Sequence, residues 1–478
     1  MHASNRSRLF LATAAALVCG SAVAQGGGFV AGDMYLYSPF LLGTNTDLGG
    51  VLKIDPLSGA SSTHFQFDHS TTAHGMMGFD PYRQRLLVVG SPNNSGSDAN
   101  LVFLVDGNGA AIDAGFFNVD WRSFAATGDG RVYFRDQKTN TAPYKYIDAA
   151  NRVRTLMDAS GAAPYVLPGP GSSETHGMIY DAGTNSLFLS NRYDCAGTAT
   201  SKLEVHKLQL SADGTRVTAP PLCSGLYMDS SGGSGRGWSR NAAGEIFLVG
   251  DTNSSGQAPR LGIVDPISPL ITMYAANGGY TGANTVTAGA WSSRIGKLLI
   301  TSHAENKLRG YSNGEGGVGS YVVTLSQTQS TSSEPCTLID IAPSACSGGW
   351  IAYGAGLAGK GAKVPGIYGT GCPEPGNGIT LRIDDVVGAA PGALAIGFAP
   401  STLQLFGGIL HVGGPLTVLN VFAAGAPGVA GAGSVTLPIT LGADPSLTGL
   451  SVYLQAGFYD SAAVQQIALT QGLRIEIG

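Results

Sequence analysis

The stretch "HGMMGFDPYRQRLLVVG", His74–Gly90, has an echo about a hundred residues on, "HGMIYDAGTNSLFLS", His176–Ser190. Each holds a short apolar run, a turn opened by Asp80 or Asp181, and a second apolar run. The second run recurs as "MYLY" at Met34, "LLVV" at Leu86, "VYF" at Val132, "LFLS" at Leu187, "IFLV" at Ile246 and "LLIT" at Leu298. Successive copies are 52, 46, 55, 59 and 52 residues apart. A third apolar element follows a polar loop each time: "VLKID" to Asp55, "VFLVD" to Asp106, "YKYID" to Asp148, "EVHKLQL" after Glu204, "LGIVD" to Asp265 and "LRGYS" from Leu308.

Self-similarity at a fixed period is the signature of a repeat architecture. Six units of about fifty residues, each with four short strands, predict a six-bladed β-propeller, because one unit cannot bury its own faces. The first unit lacks a first strand. "CTLIDIAP" from Cys336 resembles "MMGFDP" and predicts the missing one, so that the end of the repeat region completes the blade begun by its start. Pairing of this kind removes two open sheet edges.

Composition agrees with an all-β chain. Of 478 residues, 71 are Gly and only 12% are charged, so short strands and tight turns are favoured over amphipathic helices. Residues 1–24 read as a secretory signal peptide: Arg6 and Arg8, the apolar "LFLATAAALVC", then "AVA" before Gln25. Val18 before Cys19 argues against lipidation. Removal of that segment leaves 25 basic against 32 acidic residues, and no later run is long enough for a spanning helix. Nucleic acid and anionic membrane are therefore excluded as expected partners. Export to the periplasm, cell envelope or medium favours disulfides, with Cys195–Cys223 and Cys336–Cys346 as candidate pairs.

Successive strands of a blade are antiparallel, so first-strand entries and the loops between second and third strands share one face. Those loops are long and polar, whereas the opposite face carries tight turns such as "DPLSG" and "DGNG". Function on a rigid scaffold concentrates on such loops. The candidate binding residues are His74, Glu174, His176, Arg192, Asp194, Arg236, Trp238, Asp251 and His303, with Asp98, Arg135, Asp136 and Glu305 on the same surface. The "HG" pairs either buttress blade entries or place two imidazoles at the channel mouth. His64, His69 and His74 with Asp68 invite a metal, but they run across a strand end and a loop and need not converge. Trp238 and Trp291 read as packing residues. No catalytic residue and no cofactor is assigned. No nucleophile elbow, P-loop or complete calcium loop occurs.

The blade rhythm resembles secreted six-bladed propellers of the NHL and regucalcin-like kind. The tail, "YGTGCPEPGNGITLRI" from Tyr368, "APSTLQLFGGILHV", and "VTLPITLGADPSLTGLSVYLQAGFYD" to the terminal "LTQGLRIEIG", resembles a C-terminal domain of exported planctomycete proteins. That resemblance implies an envelope setting and no known reaction. Ile409 stands where that family has a Cys, which would leave Cys372 without a partner. Turn-separated apolar strands predict a small β-sandwich. Between Val386 and Leu473 the charged residues are Asp444 and Asp460 alone, a poor set for catalysis. The expected organisation is signal peptide 1–24, propeller 25–343, Gly/Ala-rich linker 344–365 and C-terminal β-sandwich 366–478. The expected function is binding of a protein or glycan through the loop-rich face. The alternative is a hydrolase or lactonase holding Ca or Zn at the channel mouth.

Overall fold

The computed structural model describes residues 29–38, 49–67, 77–90, 101–114, 121–136, 142–167, 175–193, 199–224, 228–229, 235–241, 243–250, 260–275, 286–302, 306–312, 321–326, 337–341 and 348–478. The repeat region forms six antiparallel sheets, each led by one of the recurring units. Blade 2 is Met77–Asp80, Arg85–Gly90, Leu101–Val105 and Ala111–Ala114. Blades 3 to 6 repeat this order, starting at Trp121–Ala126, Thr175–Asp181, Gly235–Arg240 and Val286–Ser292. In blade 1, Met34–Ser38, Gly50–Ile54 and Ser61–Gln66 are joined by Leu338–Asp340 as the innermost strand. The pairing is the one the sequence predicts, and its register places Leu36 opposite Leu338 and Met34 opposite Asp340.

Why the units stack is visible in the second strand of each blade. Met34–Tyr37 and Leu86–Val89 are buried on both faces. Side chains alternate along a strand, so even and odd positions serve different neighbours. Leu86 and Val88 pack with Tyr35, Tyr37 and Val51 of blade 1. Leu87 and Val89 pack with Val132 and Phe134 of blade 3. The same division continues around the disc: Tyr133 and Tyr144 meet Leu187 and Leu189, Phe188 and Val205 meet Ile246 and Leu248, and Phe247 and Val249 meet Leu298 and Ile300. Met34 and Leu36 then meet Ala288, Ala290 and Leu299, which closes the ring between blades 6 and 1. Each blade remains an open sheet, and closure belongs to the ring.

Turns between third and fourth strands explain the recurring Asp. Asp55 Oδ1 accepts the Leu57 amide at 3.1 Å, Asp106 Oδ1 the Asn108 amide at 2.9 Å, and Asp265 Oδ1 the Ile267 amide at 2.9 Å. A carboxylate that bonds its own backbone two residues on fixes a tight turn. Gly109 completes one of them at φ 82°, where an added Cβ would meet the His64 carbonyl.

The C-terminal region has a sheet in the order Gly349–Tyr353, Gly472–Glu476, Ser451–Tyr459, Pro391–Gly397, Thr417–Phe422, with Ile467–Leu469 added beside Ser451–Tyr459. A second sheet holds Gly366–Thr370, Gly378–Val386 and Gly433–Thr440. Ile367, Ile379, Leu381 and Ile383 of the second share one apolar cluster with Leu394, Leu454, Phe458, Leu473 and Ile475 of the first. The stretch expected to be a linker therefore contains a strand, Gly349–Tyr353, and Trp350 within it is buried in that cluster. Short apolar content between glycines concealed it.

Candidate functional site

The two faces of the disc differ. On the turn face, the blade 2 turn contains a fully buried ionic group. Asp80 Oδ2 lies 2.7 Å from Arg83 Nη1 and 3.2 Å from Arg85 Nε. Arg83 donates to the Asp148 carbonyl of blade 3, and Arg85 Nη2 donates to Asn151 Oδ1 at 2.7 Å. A buried carboxylate shared by two guanidiniums survives desolvation because each charge has hydrogen-bonded partners.

The C-terminal region docks beside this group. Tyr82, from the same turn, is buried in the C-terminal apolar cluster. Its hydroxyl donates to the Gly369 carbonyl and accepts the Gly369 amide at 3.1 Å, and its carbonyl accepts the Trp350 amide at 3.3 Å. From the blade 3 turn, Arg152 and Arg154 both pair with Asp385, the latter at 2.6 Å, while both also reach Asp148. Gln471 Nε2 donates to the Ala150 carbonyl at 3.2 Å.

The opposite face carries a different feature. Inner strands lose ladder register at their loop-face ends in four blades: between Trp121 and Phe124, Thr175 and Gly177, Gly235 and Gly237, and Val286 and Ala288. The residues at the last three bulges are His176, Arg236 and Thr287. A bulge re-aims the backbone and is over-represented at rims and beside functional sites. Just below, the inner strands crowd together. A Cβ on Gly237 would lie 2.8 Å from the Gly289 carbonyl oxygen, so glycine is required there. His176 thus sits in an irregular strand entry at the rim of the channel, where the repeated "HG" led.

Blade 4 also projects on this face. Its second and third strands, Ser186–Tyr193 and Ala199–Gln209, have 8 and 11 residues, and Met228–Asp229 adds to the longer one at Lys202 and Leu203. Tyr193 still pairs with Ala199, beyond the level of Asn191 and Glu204. At ~3.3 Å per residue, that lifts the hairpin roughly 7 Å further.

Of the predicted site residues, His74, Glu174, Asp194, Asp251 and His303 lie outside the described residues, as do Asp98, Glu305, His69, Cys195, Cys336 and Cys346. His176, Arg192, Arg236 and Asp136 lie on strands described by their backbone. Trp238 packs in the blade 4–5 cluster with its Nε1 3.4 Å from Ser190 Oγ, and Trp291 stacks on Phe247 at 5.0 Å. Arg135 is buried and reaches over the Tyr144 ring at 5.5 Å. His64 bonds the Asp106 carbonyl at 3.0 Å, and burial lowers its pKa.

Sequence reading missed Glu204 and His206. They occupy alternate positions of an apolar strand, a spacing that puts both on one face and that "LEVHKLQL" displays. Both are buried toward blade 3, and His206 Nε2 lies 3.5 Å from Glu204 Oε2. With Cys223 they offer three ligand atoms within 4.8 Å of one another, the one such group among the described residues. Cys223 is, however, disulfide-bonded, which withdraws the thiolate a metal would need. Cys372 is disulfide-bonded as well, contrary to the expectation that it lacks a partner.

No family model matches the chain, and no curated protein matches it. Solved structures with similarity include TolB from Acinetobacter baumannii (14% identity, TM-score 0.35, 58% of this chain and 62% of that one). The Pseudomonas aeruginosa periplasmic gluconolactonase PpgL is 15% identical with TM-score 0.37, over 65% of this chain and 99% of that one. The β-propeller domain of Myceliophteria thermophila Cps50 (Swd1) is 11% identical with TM-score 0.36, over 64% and 89%. The chain thus spans less than two thirds of the TolB length. Likenesses this low transfer neither ligand nor reaction, and none of them supports the planctomycete-type resemblance of the tail. Among the described residues no helix is long and apolar enough to cross a membrane.

Proposed function

We propose that this chain is an exported envelope protein that binds a protein or glycan partner through the loop-bearing face of the propeller. The observation that carries the reading is the set of bulged inner-strand entries at one end of the channel, at His176, Arg236 and Thr287. The raised blade 4 hairpin stands on the same face and gives a partner a wall to lean on. The other face is partly taken by the C-terminal sheets through Tyr82, Arg152 and Arg154. We therefore read the loop face as the one open to a partner, with the C-terminal sheets, read as a small sandwich domain, holding the disc in place.

A photo-crosslinking amino acid placed at Arg236 or Thr287, and in a parallel preparation at the turn-face residue Ser268, tests this in the native envelope. Adducts from the first two positions and none from Ser268 support the reading. Equal labelling from both faces, or none from either, defeats it. The hydrolase alternative has a separate readout. A stoichiometric divalent ion in purified protein, with lactone hydrolysis abolished by a chelator, would replace binding with catalysis.

A further inference from the structure

The C-terminal sheets expose one edge strand with a run of apolar side chains in solvent. Thr417–Phe422, "TVLNVF", is the last strand of its sheet and pairs only with Pro391–Gly397 among the described residues. Phe422 is 66% exposed, Leu419 46% and Val418 37%. A bare edge with apolar side chains is a template for another strand, and proteins guard such edges with charge, proline, shortness or cover.

Most neighbouring edges of the C-terminal sheets carry such a guard. The far edge of the same sheet, Gly349–Tyr353, is covered through Trp350 by Tyr82 of the propeller. The second sheet's edge Gly366–Thr370 is covered by the Tyr82 hydroxyl at Gly369. Its other edge, Gly433–Thr440, carries Pro438. Three blade rims end in short or polar strands, Leu222–Cys223, Val153–Thr155 and "SSTHFQ" at Ser61–Gln66, while Ile271–Ala275 and Tyr321–Thr324 are apolar but shorter than Thr417–Phe422. Thr417–Phe422 has no charge, no proline and, among the described residues, no cover, and the sequence around it from Val387 to Ala443 is free of Asp, Glu, Lys and Arg.

We infer that this edge is a self-association surface, on which Thr417–Phe422 of a second copy pairs antiparallel about a two-fold axis at Asn420. A two-fold axis perpendicular to the sheet makes facing residues share a side, so they must have the same parity in sequence. Centred on Asn420, that rule sets Val418 against Phe422 and Leu419 against Val421, apolar against apolar. Centred on Leu419, it would set Val418 against Asn420 instead. The acidic chain meets no like charge on this approach, because neither strand carries any. Six residues span ~20 Å, which places the contact at the low end of specific interfaces, below about 1,200 Å², and makes the dimer weak and concentration-dependent.

Sedimentation velocity of the full chain from about 1 to 200 µM reads the association in a range suited to weak interfaces. The expected result is a reversible monomer–dimer equilibrium whose dissociation constant rises at least tenfold in Phe422→Lys and in Leu419→Lys. Both side chains are exposed, so the thermal midpoint of each variant should stay near the parent value. Asn420→Cys should cross-link to its own copy under diamide, with the interchain peptide identified by mass spectrometry. A monomer at every concentration overturns the inference. So does a dimer that tolerates both lysines and gives no Asn420 cross-link.

Discussion

Replacing Asp340 with Asn tests how the ring is closed. Asp340 lies on the closing strand opposite Met34, and its Oδ2 accepts the Ser293 amide at 3.2 Å. Its Oδ1 is buried with no hydrogen-bond partner among the described residues. Burial, with the Asp33 carboxylate adding to it, raises the pKa from 3.8 to about 6. Asp33 is itself held by Lys53 at 2.8 Å and Arg294 at 3.5 Å, so those cations are engaged next door. The sign follows from linkage. A carboxyl with a raised folded-state pKa favours folding while protonated, and that advantage is lost as pH climbs from about 4 through about 6. A rise of roughly two units corresponds to at most ~3 kcal/mol, and partial solvent access reduces this to ~1–2 kcal/mol. Urea unfolding followed by tryptophan fluorescence at pH 3, below the unfolded-state pKa of 3.8, and at pH 8 is the assay. Asp340→Asn should match the parent at the lower pH within experimental error and exceed it by ~1–2 kcal/mol at the higher. A variant equally destabilised at both values would mean that the charged carboxylate is used by the fold, and the reasoning would be wrong.

Other expectations concern the docking and packing. Tyr82→Phe removes a buried hydroxyl that serves both backbone groups of Gly369, and should cost ~1–3 kcal/mol by the same unfolding assay. Asp385→Ala frees Arg152 and Arg154, which are partly exposed, so the loss should be only ~1 kcal/mol and should shrink in high salt. Gly237→Ala forces a Cβ to 2.8 Å from the Gly289 carbonyl oxygen and should cost ~1–3 kcal/mol, read as a lowered thermal midpoint. Non-reducing peptide mapping should place Cys372 in a bond with Cys346: two residues after Cys346, a Cβ built on Gly348 would lie 2.2 Å from the Pro373 carbonyl oxygen, next to Cys372. A Cys336–Cys346 peptide instead would restore the pairing expected from sequence.

Much of the architecture was legible because it rests on local rules repeated six times. "LLVV" and its equivalents are buried on both faces, and a strand so placed needs a neighbour on each side. The Asp that ends "VLKID", "VFLVD" and "LGIVD" makes its turn with its own backbone, so its role follows from sequence alone. What stayed hidden depends on contacts between distant segments. Nothing in "DPYRQR" says that Tyr82 will enter another region's core, or that Arg83 will reach across to Asp148. The strand at Trp350 resembles linker in sequence because glycines flank a short apolar run whose periodicity has no length to show. The proposed binding face follows from strand topology. His176 and Arg236 fall at bulges there, but which side chains converge at the channel mouth depends on loops outside the described residues.

The last strand of the repeat region completes the first blade, and the ring depends on it. Leu36→Cys with Leu338→Cys, paired across that junction, measures it directly. Peptide mapping after mild oxidation should find an intrachain 36–338 disulfide in folded protein, while Leu36→Cys with Leu298→Cys in blade 6 should give none. Failure of the first pair to bond, or equal bonding of the second, would contradict the closed ring.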